Sequence, residues 1–425
     1  MSPTFRALTS RNYRLWITGS IVSNVGTWMQ RVAQDWLVLT VLTDHSAEAV
    51  GITTGLQFLP MLLLAPYGGL IADRMSKRRL LMATQLTMGL LALGLGVLVL
   101  TGGVQLWMVY GFALLLGVAT ALDNPARQTF VSEMVPREDL PNAVGLNSAS
   151  FNAARIVGPG IAGLLIAWIG TGPVFLVNAA SFAAVLISLS RMRTRELRIT
   201  PATPRAKGQM RDGLRYVLAR PDIMLILVIV FMVGTFGLNF QMTTAFVATT
   251  VFHKGSGEYG VLGSIMAIGS LAGALLSARR EKPQLRLIVG SAFAFGVFAV
   301  VASLMPTFPL FAISLVPVGL SSITMITSAS STIQLSVDPA LRGRVMALYM
   351  AIFIGGTPLG SPIIGWVAGT FGARWSILLG GLVAVVTALG ATAWIVRTRD
   401  LQLTYQRDAS PHLQLRPHDG AVSRS

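Results

Sequence analysis

The stretch SNVGTWMQRVAQDWLVLTVL, residues 23–42, lies inside the first long apolar run of the chain, yet it carries Arg31 and Asp35 one helical turn apart. A charged side chain inside an apolar segment costs free energy unless it is paired or reaches water. At about 100° per residue, the two charges share one stripe of a helix with Asn24 and Trp28. The pattern predicts a membrane helix whose polar stripe faces something other than lipid.

The composition of the whole chain is that of a polytopic membrane protein. Its 425 residues are 53% hydrophobic and 12% charged, with a mean hydropathy of +0.66, whereas about 25% of the residues in soluble domains are charged. We therefore predict an all-α polytopic membrane protein with twelve transmembrane helices, since each apolar run can cross a hydrocarbon core of about 30 Å. The runs cover approximately residues 15–41, 49–72, 80–101, 104–122, 143–169, 173–190, 222–247, 259–278, 287–305, 308–332, 345–370 and 374–396.

The basic residues are distributed unevenly between the turns. With a cytoplasmic N-terminus, all but four of the 33 Lys and Arg residues fall in the tails or in the even-numbered turns. Lys254 and Arg374 fall in the opposite turns, and Arg31 and Arg155 lie inside spans. Positive charge collects on the cytoplasmic side of membrane proteins, so we expect both termini in the cytoplasm. Topology thus accounts for the net charge of +16, and no nucleic-acid partner is expected.

A long basic, polar stretch at residues 191–221 divides the spans six and six. We predict an N-terminal six-helix bundle at residues 1–190, a cytoplasmic basic linker at 191–221 and a C-terminal six-helix bundle at 222–399. The polar tail, residues 400–425, is predicted to be a disordered cytoplasmic segment, because it holds too few apolar residues to form a core.

The two halves repeat weakly. Span five matches span eleven after a shift of 202 residues, which aligns Gly158 with Gly360, Gly163 with Gly365 and Gly170 with Gly372. A duplicated six-helix unit requires such a match. Two pseudo-symmetric six-helix bundles, with a substrate site between them near the midplane, describe the major facilitator architecture.

The turn between spans two and three reads GGLIADRMSKRR, residues 68–79. It resembles the major facilitator signature of a Gly, a small residue, Asp-Arg and a basic cluster, with Ser76 where the family usually has Gly. The matching residues are Gly69, Ala72, Asp73, Arg74, Arg78 and Arg79. The resemblance implies a cytoplasmic gate in which Asp73 and Arg74 make charge-assisted contacts. Asp123, at the end of span four, is expected to be a structural partner of this cluster within reach of Arg74.

Residues 122–165 resemble the drug:proton antiporter-3 branch of this superfamily, which includes macrolide, multidrug and siderophore exporters. Span five resembles the antiporter motif of exporters, with Gly145, Ala154, Gly158, Pro159, Ala162 and Gly163, of which the two alanines depart from glycine. The resemblance implies export driven by protons. Packing of small residues against a neighbouring helix would also explain the glycines alone.

The resemblance implies that the polar stripe of span one faces the central cavity, because the first helix of each three-helix unit lines that cavity in this fold. Arg155 is the only other basic residue inside a span, and Asp35 is the only acid well inside one. We expect Asp35, Arg31 and Arg155 to form one cluster. Two roles for Asp35 remain open at this point. It could carry a proton during transport, or it could stay ionised as the counter-ion of an arginine.

Further polar and aromatic side chains complete the predicted substrate cavity. They are Asn24, Trp28 and Gln34 of span one, and Phe236, Asn239, Phe240 and Gln241 of span seven. Aromatic and amide groups form an adaptable surface for bulky amphiphiles.

The sequence contains no pattern typical of an enzyme. It has no Walker lysine loop, no cysteine and only four scattered histidines, so no catalytic residue, cofactor or metal site is expected. We predict a monomeric secondary transporter of the cell membrane that exports small amphiphiles, drugs among them, by alternating access with proton antiport. One alternative is the export of a siderophore or other endogenous metabolite, since Arg31 and Arg155 would suit an anionic or catecholate ligand. Another is a non-transporting scaffold or sensor.

Overall fold

The computed structural model describes residues 3–198, 209–278, 284–398, 401–405 and 413–417. Fourteen α-helices form most of this part of the chain, and three π-helical segments, Leu37–Leu42, Val233–Gly237 and Val247–Val251, follow α1, α8 and α9. The helices are α1 Arg11–Trp36, α2 Ala47–Arg74, α3 Lys77–Leu100, α4 Leu106–Met134, α5 Leu140–Ile169, α6 Thr171–Ser190, α7 Gln209–Leu218, α8 Pro221–Met232, α9 Phe240–Phe246, α10 Ser256–Ala278, α11 Leu285–Ser303, α12 Phe308–Ser336, α13 Pro339–Phe371 and α14 Ala373–Thr398.

Eleven helical segments in the described part of the chain are long and apolar enough to cross a membrane. They are α2 to α6, the run from α8 to Val251, and α10 to α14. The sequence predicts twelve such segments. The predicted span that is missing from the eleven is α1, the helix of the opening stretch, because its charged and amide side chains lower its mean hydropathy.

The turns that follow α5 and α13 require glycine. Gly170 has a φ of 80° and Gly372 a φ of 103°, a left-handed conformation that residues with a Cβ rarely adopt. The shift of 202 residues aligns these two positions. The same local device therefore ends equivalent helices in the two halves of the chain.

By their order in the chain, we call α1 to α6 the first set of long helices and α8 to α14 the second set. In the first set, α1 packs against α5 and α6, α2 against α4, and α3 against α4 and α6. In the second set, α10 packs against α12, α11 against α12 and α14, and α13 against α14. The two sets meet through α2 with α13 and through α5 with α10. This arrangement leaves the space for the candidate site between the sets.

Glycines allow the two sets to approach closely. A Cβ added at Gly51 of α2 would lie 2.5 Å from the carbonyl oxygen of Ser361 and 3.2 Å from the Cα of Gly365 on α13. A Cβ at Gly163 of α5 would lie 3.1 Å from the Cα of Gly260 on α10. Contacts this short leave no room for a side chain. Gly163 and Gly365, which the repeat aligns, thus take the same part in the two interfaces.

Two short strands lie within the tail that was predicted to be disordered. Leu401–Tyr405 pairs antiparallel with Leu413–Pro417. The remainder of residues 400–425 lies outside the described residues, as do residues 199–208 of the predicted linker.

Substitution of Gly260 by alanine should destabilise the protein by about 1–3 kcal/mol, because the new methyl group would overpack the α5–α10 interface. Its Cβ would lie 3.0 Å from the Cα of Gly163. Gly257→Ala is the matched control on the same helix, since a Cβ there meets no atom within 4 Å. Thermal unfolding in detergent would measure both. Equal melting temperatures for the two variants would contradict the proposed packing role.

Candidate functional site

A cavity of about 420 Å³ lies between the two sets of helices. Helices α1, α2 and α5 contribute to its wall from the first set, and α9, α10, α12 and α13 contribute from the second. Most of the lining is apolar or aromatic, and a few polar groups converge on it. This combination is typical of a binding site for a small organic molecule.

Most of the side chains predicted for the charge cluster and the cavity line this space. They are Trp28, Arg31, Asp35, Arg155, Asn239, Phe240 and Gln241. Residues separated by more than 200 positions in the sequence, such as Trp28 and Gln241, therefore face one cavity.

Three predicted cavity residues do not line it. Asn24 lies three turns before Asp35, and its Nδ2 approaches the Ser150 Oγ of α5 at 3.5 Å. Gln34 is buried and donates to Gln57 Oε1 of α2 at 3.0 Å, because one residue along a helix turns the side chain by about 100°. Phe236 lies in the π-helical segment after α8. A π-helical turn is wider than an α-helical turn and so changes the direction of successive side chains, and Phe236 packs against the hydrophobic core.

The Asp35 carboxylate takes its hydrogen bonds from the second set. Gln241 Nε2 donates to Asp35 Oδ2 at 3.0 Å, and the hydroxyl of Tyr259 lies 3.3 Å from the same oxygen. That hydroxyl also lies 3.1 Å from the carbonyl oxygen of Gln241, so its single proton has two possible acceptors. Trp36 stacks on the Tyr259 ring, with a centroid distance of 6.1 Å and an interplanar angle of 18°. A buried acid of α1 is thus bonded across the interface.

Arg31 is held by aromatic rings instead of by the acid. Its guanidinium carbon lies 4.8 Å from the centre of the Trp28 ring and 5.6 Å from that of Phe58. Such cation–π contacts stabilise a cation by about 0.5–2 kcal/mol. Arg31 Nε is buried and has no hydrogen-bond partner among the residues that the structure describes.

The predicted three-residue cluster is corrected in one respect. Asp35, Arg31 and Arg155 share the cavity, but within the described residues neither arginine has a nitrogen within 4.0 Å of a carboxylate oxygen. The physical reason is that Gln241 and Tyr259 occupy the carboxylate, while the rings hold Arg31. The sequence did not indicate Tyr259, because one tyrosine in an apolar span carries no pairing signal.

The predicted gate motif is partly described. Gly69 and Asp73 lie within α2, but the structure does not describe their side-chain surroundings, and Arg74 is exposed at the end of that helix. Arg79 is also exposed near the start of α3. Arg78 Nε donates to the carbonyl oxygen of Leu189 at 2.7 Å and so ties α3 to the end of α6.

Asp123 has partners other than the expected Arg74. Its Oδ1 accepts hydrogen bonds from Thr84 Oγ1 at 2.6 Å and Gln85 Nε2 at 2.8 Å. Its Oδ2 accepts from Arg127 Nε at 3.0 Å, one turn further along α4. The buried acid therefore ties α4 to α3 and to its own last turns, because those donors are nearer than the end of α2.

The sequence also gave no indication of Lys77 and Glu133. Lys77 Nζ lies 2.5 Å from Glu133 Oε1, with both side chains largely buried. This ion pair joins the start of α3 to the end of α4 beside the Asp123 contacts. Together these bonds hold α3, α4 and α6 at the end of the molecule where the α2–α3 turn lies.

The residues of the antiporter motif divide between two neighbours. A Cβ at Gly158 would lie 2.6 Å from the Cβ of Trp28 on α1, and Gly163 faces α10 as described above. Pro159 lines the cavity. Gly145 has no described atom within 4 Å of an added Cβ, so packing does not explain that glycine.

Replacing Asp123 by alanine should lower the free energy of unfolding by about 3 kcal/mol, because Arg127 would be left buried without its acid. Glu196→Ala is the control, since Glu196 pairs with Arg193 at 2.9 Å but both side chains are exposed. We expect less than about 1 kcal/mol there. Denaturation in detergent gives both values. A loss at Asp123 no larger than at Glu196 would contradict its structural role.

Comparison with known proteins identifies a matching family model and several similar transport proteins. A family model described as transmembrane secretion effector matches residues 2–422. The staphyloferrin A transporter of Staphylococcus aureus is 26% identical over 365 residues, which cover 84% of this chain and 90% of that protein. The multidrug efflux pump Tap of Mycolicibacterium fortuitum is 27% identical over 398 residues, which cover 90% of this chain and 95% of that protein.

Solved structures share the fold. A bacterial homolog of the human lysosomal transporter Spinster, in an inward-facing and occupied conformation, matches with a TM-score of 0.70 and 16% identity, covering 92% of this chain and 97% of that one. The family model spans nearly the whole chain, which confirms the resemblance on which the sequence analysis relied. The chain belongs to the transmembrane secretion effector family of the major facilitator superfamily, and it is a multi-pass membrane transporter, not an enzyme.

Proposed function

We propose that this transporter exports small amphiphilic molecules, drugs among them, by alternating access coupled to inward proton flow. One observation carries the proposal. Asp35 of the first set, the only acid among the described residues that line the cavity, is hydrogen-bonded by Gln241 and Tyr259 of the second set. A group that bonds across the two sets when ionised and bonds less when protonated can couple proton binding to their relative motion.

The proposed architecture has twelve membrane helices in two six-helix bundles, residues 1–190 and 222–399. Inclusion of α1 is supported by its packing against α5 and α6 and by its four cavity residues, since a helix that faces a wet cavity need not be apolar on every side. The uneven distribution of Lys and Arg supports cytoplasmic termini and a cytoplasmic linker at 191–221. We propose that the protein acts as a monomer in the cell membrane.

The turn between α2 and α3 is the proposed cytoplasmic gate. In this proposal, Asp73 and Arg74 form the movable contacts, while Arg78 and Lys77 anchor the turn to α6 and α4. The anchors would make the turn move with the first set as one body, which rigid-body alternation of two bundles requires.

A proton-carrying role for Asp35 is favoured over the counter-ion role by the partners of its carboxylate. Both are neutral, and an ion pair with an arginine within 4.0 Å is not found among the described residues. Protonation would remove acceptor capacity at the carboxylate. The Tyr259 hydroxyl could then bond to the Gln241 carbonyl oxygen, which already lies 3.1 Å away. The second set would be released without leaving that hydroxyl unsatisfied.

Asp35→Asn should abolish transport driven by a pH gradient while leaving substrate binding in place, because asparagine cannot gain or lose the proton. Uptake of a fluorescent amphiphile into inside-out vesicles, with and without an uncoupler, measures the driven component. Exchange of labelled for unlabelled substrate, without a gradient, should continue in the variant.

Asp44→Asn serves as the control, because Asp44 is a fully exposed acid in the loop that follows the same helix. It should transport as the unchanged chain does. Uncoupler-sensitive transport at the full rate in Asp35→Asn would refute the role of Asp35, and uncoupler-insensitive transport by the unchanged chain would refute proton coupling.

Export of a siderophore or other endogenous metabolite is a second candidate function. It is supported by the similarity to the protein named as a staphyloferrin A transporter. Deletion of the gene in its natural host would distinguish the two candidates. Drug efflux predicts increased sensitivity to a panel of amphiphilic inhibitors with an unchanged culture medium. Metabolite export predicts unchanged sensitivity and the loss of a compound from the medium.

A further inference from the structure

The cavity holds more positive than negative charge. Of the lining side chains that the structure describes, only Arg31, Arg155 and Asp35 are charged. The single carboxylate is already hydrogen-bonded to Gln241 and Tyr259. Asp35, one turn further along α1, still acts on Arg31 as an opposite charge. Arg155 has no such counter-ion among the described residues, although a cation withdrawn from water normally has one.

Arg155 is the cation of the cavity with no described partner of any kind. It lines the cavity from α5, and it makes neither a hydrogen bond nor an ion pair with any residue that the structure describes. A partly buried guanidinium keeps its full charge in proteins, because it does not release its proton near neutral pH. Its five N–H donors thus remain available to something that enters the cavity.

Arg31 has different surroundings, but it also contributes positive electrostatic potential to the cavity. The rings of Trp28 and Phe58 hold its guanidinium, which fixes the cation without neutralising it. Since these rings satisfy part of its interaction energy, Arg31 adds positive potential, while Arg155 is free to make the direct contact.

The rest of the wall suits an apolar body. Phe151 lies one turn before Arg155 on α5, and Phe240 and Phe353 face the cavity from the second set. A volume of about 420 Å³ is within the range of pockets that enclose drug-sized molecules. The wall therefore combines aromatic contact with one unpartnered cation.

We infer that the cavity selects organic anions, with Arg155 binding a carboxylate or similar planar anionic group while the aromatic wall holds an apolar, ring-bearing body. A guanidinium and a carboxylate match as a two-point donor–acceptor pair, which gives both affinity and orientation. This inference rests on the proposed function only where it calls the anion a transported substrate. The binding site itself is independent of the transport direction and of proton coupling.

The test is binding of three matched probes to the purified full-length protein in detergent: pyrenebutyrate, its methyl ester and pyrenebutylamine. The unchanged chain should bind the carboxylate at least about tenfold more tightly than the ester, as expected for a partly desolvated charge-assisted pair. The amine should bind more weakly than the ester. Arg155→Gln should remove the preference, so that carboxylate and ester bind within about threefold of each other.

Two further variants make the result specific. Arg155→Lys keeps the charge but loses the two-point geometry, so its preference should be intermediate. Arg286→Gln removes an exposed arginine of α11 that does not line the cavity, and its preference should be unchanged. Retained ester binding shows that each variant is folded.

An unchanged chain that binds the ester or the amine as tightly as the carboxylate would overturn the inference. So would an undiminished preference in Arg155→Gln, or an equal loss of carboxylate and ester binding in both Arg155 variants. Failure of the proposed function is a separate result. Uncoupler-sensitive transport of neutral or cationic amphiphiles without anion preference would uphold export and reject the anion site. Anion-selective binding without transport would uphold the anion site and reject export.

Discussion

A carboxylate buried between two bodies must be bonded to donors, and Asp35 takes its donors from the opposite set of helices. Gln241 and Tyr259 bond to the same oxygen, so the hydrogen bonding of this acid and the relative position of the two sets cannot change independently. Trp36, the next residue along α1, stacks on the Tyr259 ring. A change at this carboxylate would therefore reach α1 and α10 together.

Close packing brings the acid and its donors within reach of one another. Gly163 lets α5 approach α10, and Gly158 lets the same helix approach α1 at Trp28. Between these glycines, Pro159 lines the cavity. The small residues of one helix thus set the spacing of three elements, which is why a motif of glycines can govern a site to which it contributes little chemistry.

Charged residues in this protein fall into two groups with different surroundings. At the end with the α2–α3 turn, Asp123 and Glu133 are buried with arginine and lysine partners, and their bonds hold neighbouring helices together. In the cavity, Arg155 has no such partner among the described residues. Withdrawing the Arg155 cation from water costs free energy, and no contact with a described residue offsets that cost. This points to an interaction with a molecule that enters the site, which is the basis of the anion selectivity that we infer.

The sequence by itself determined that the chain is a polytopic helical membrane protein of the major facilitator superfamily, because apolar length, charge asymmetry and the turn and span-five motifs are local properties. Helical periodicity also places Arg31 and Asp35 on one stripe, and the resemblance to the superfamily implied that this stripe and Arg155 face one cavity. Only the tertiary structure decided which groups bond to them. The partners of Asp35 lie more than 200 residues away, and no local pattern encodes that pairing. Likewise, Asp123 bonds to α3 and Arg127 because the packing of α3 on α4 brings those donors closer than Arg74. Phe236 lies in a π-helical segment and is not among the residues that line the cavity, and a sequence pattern does not reveal the wider turn of such a segment.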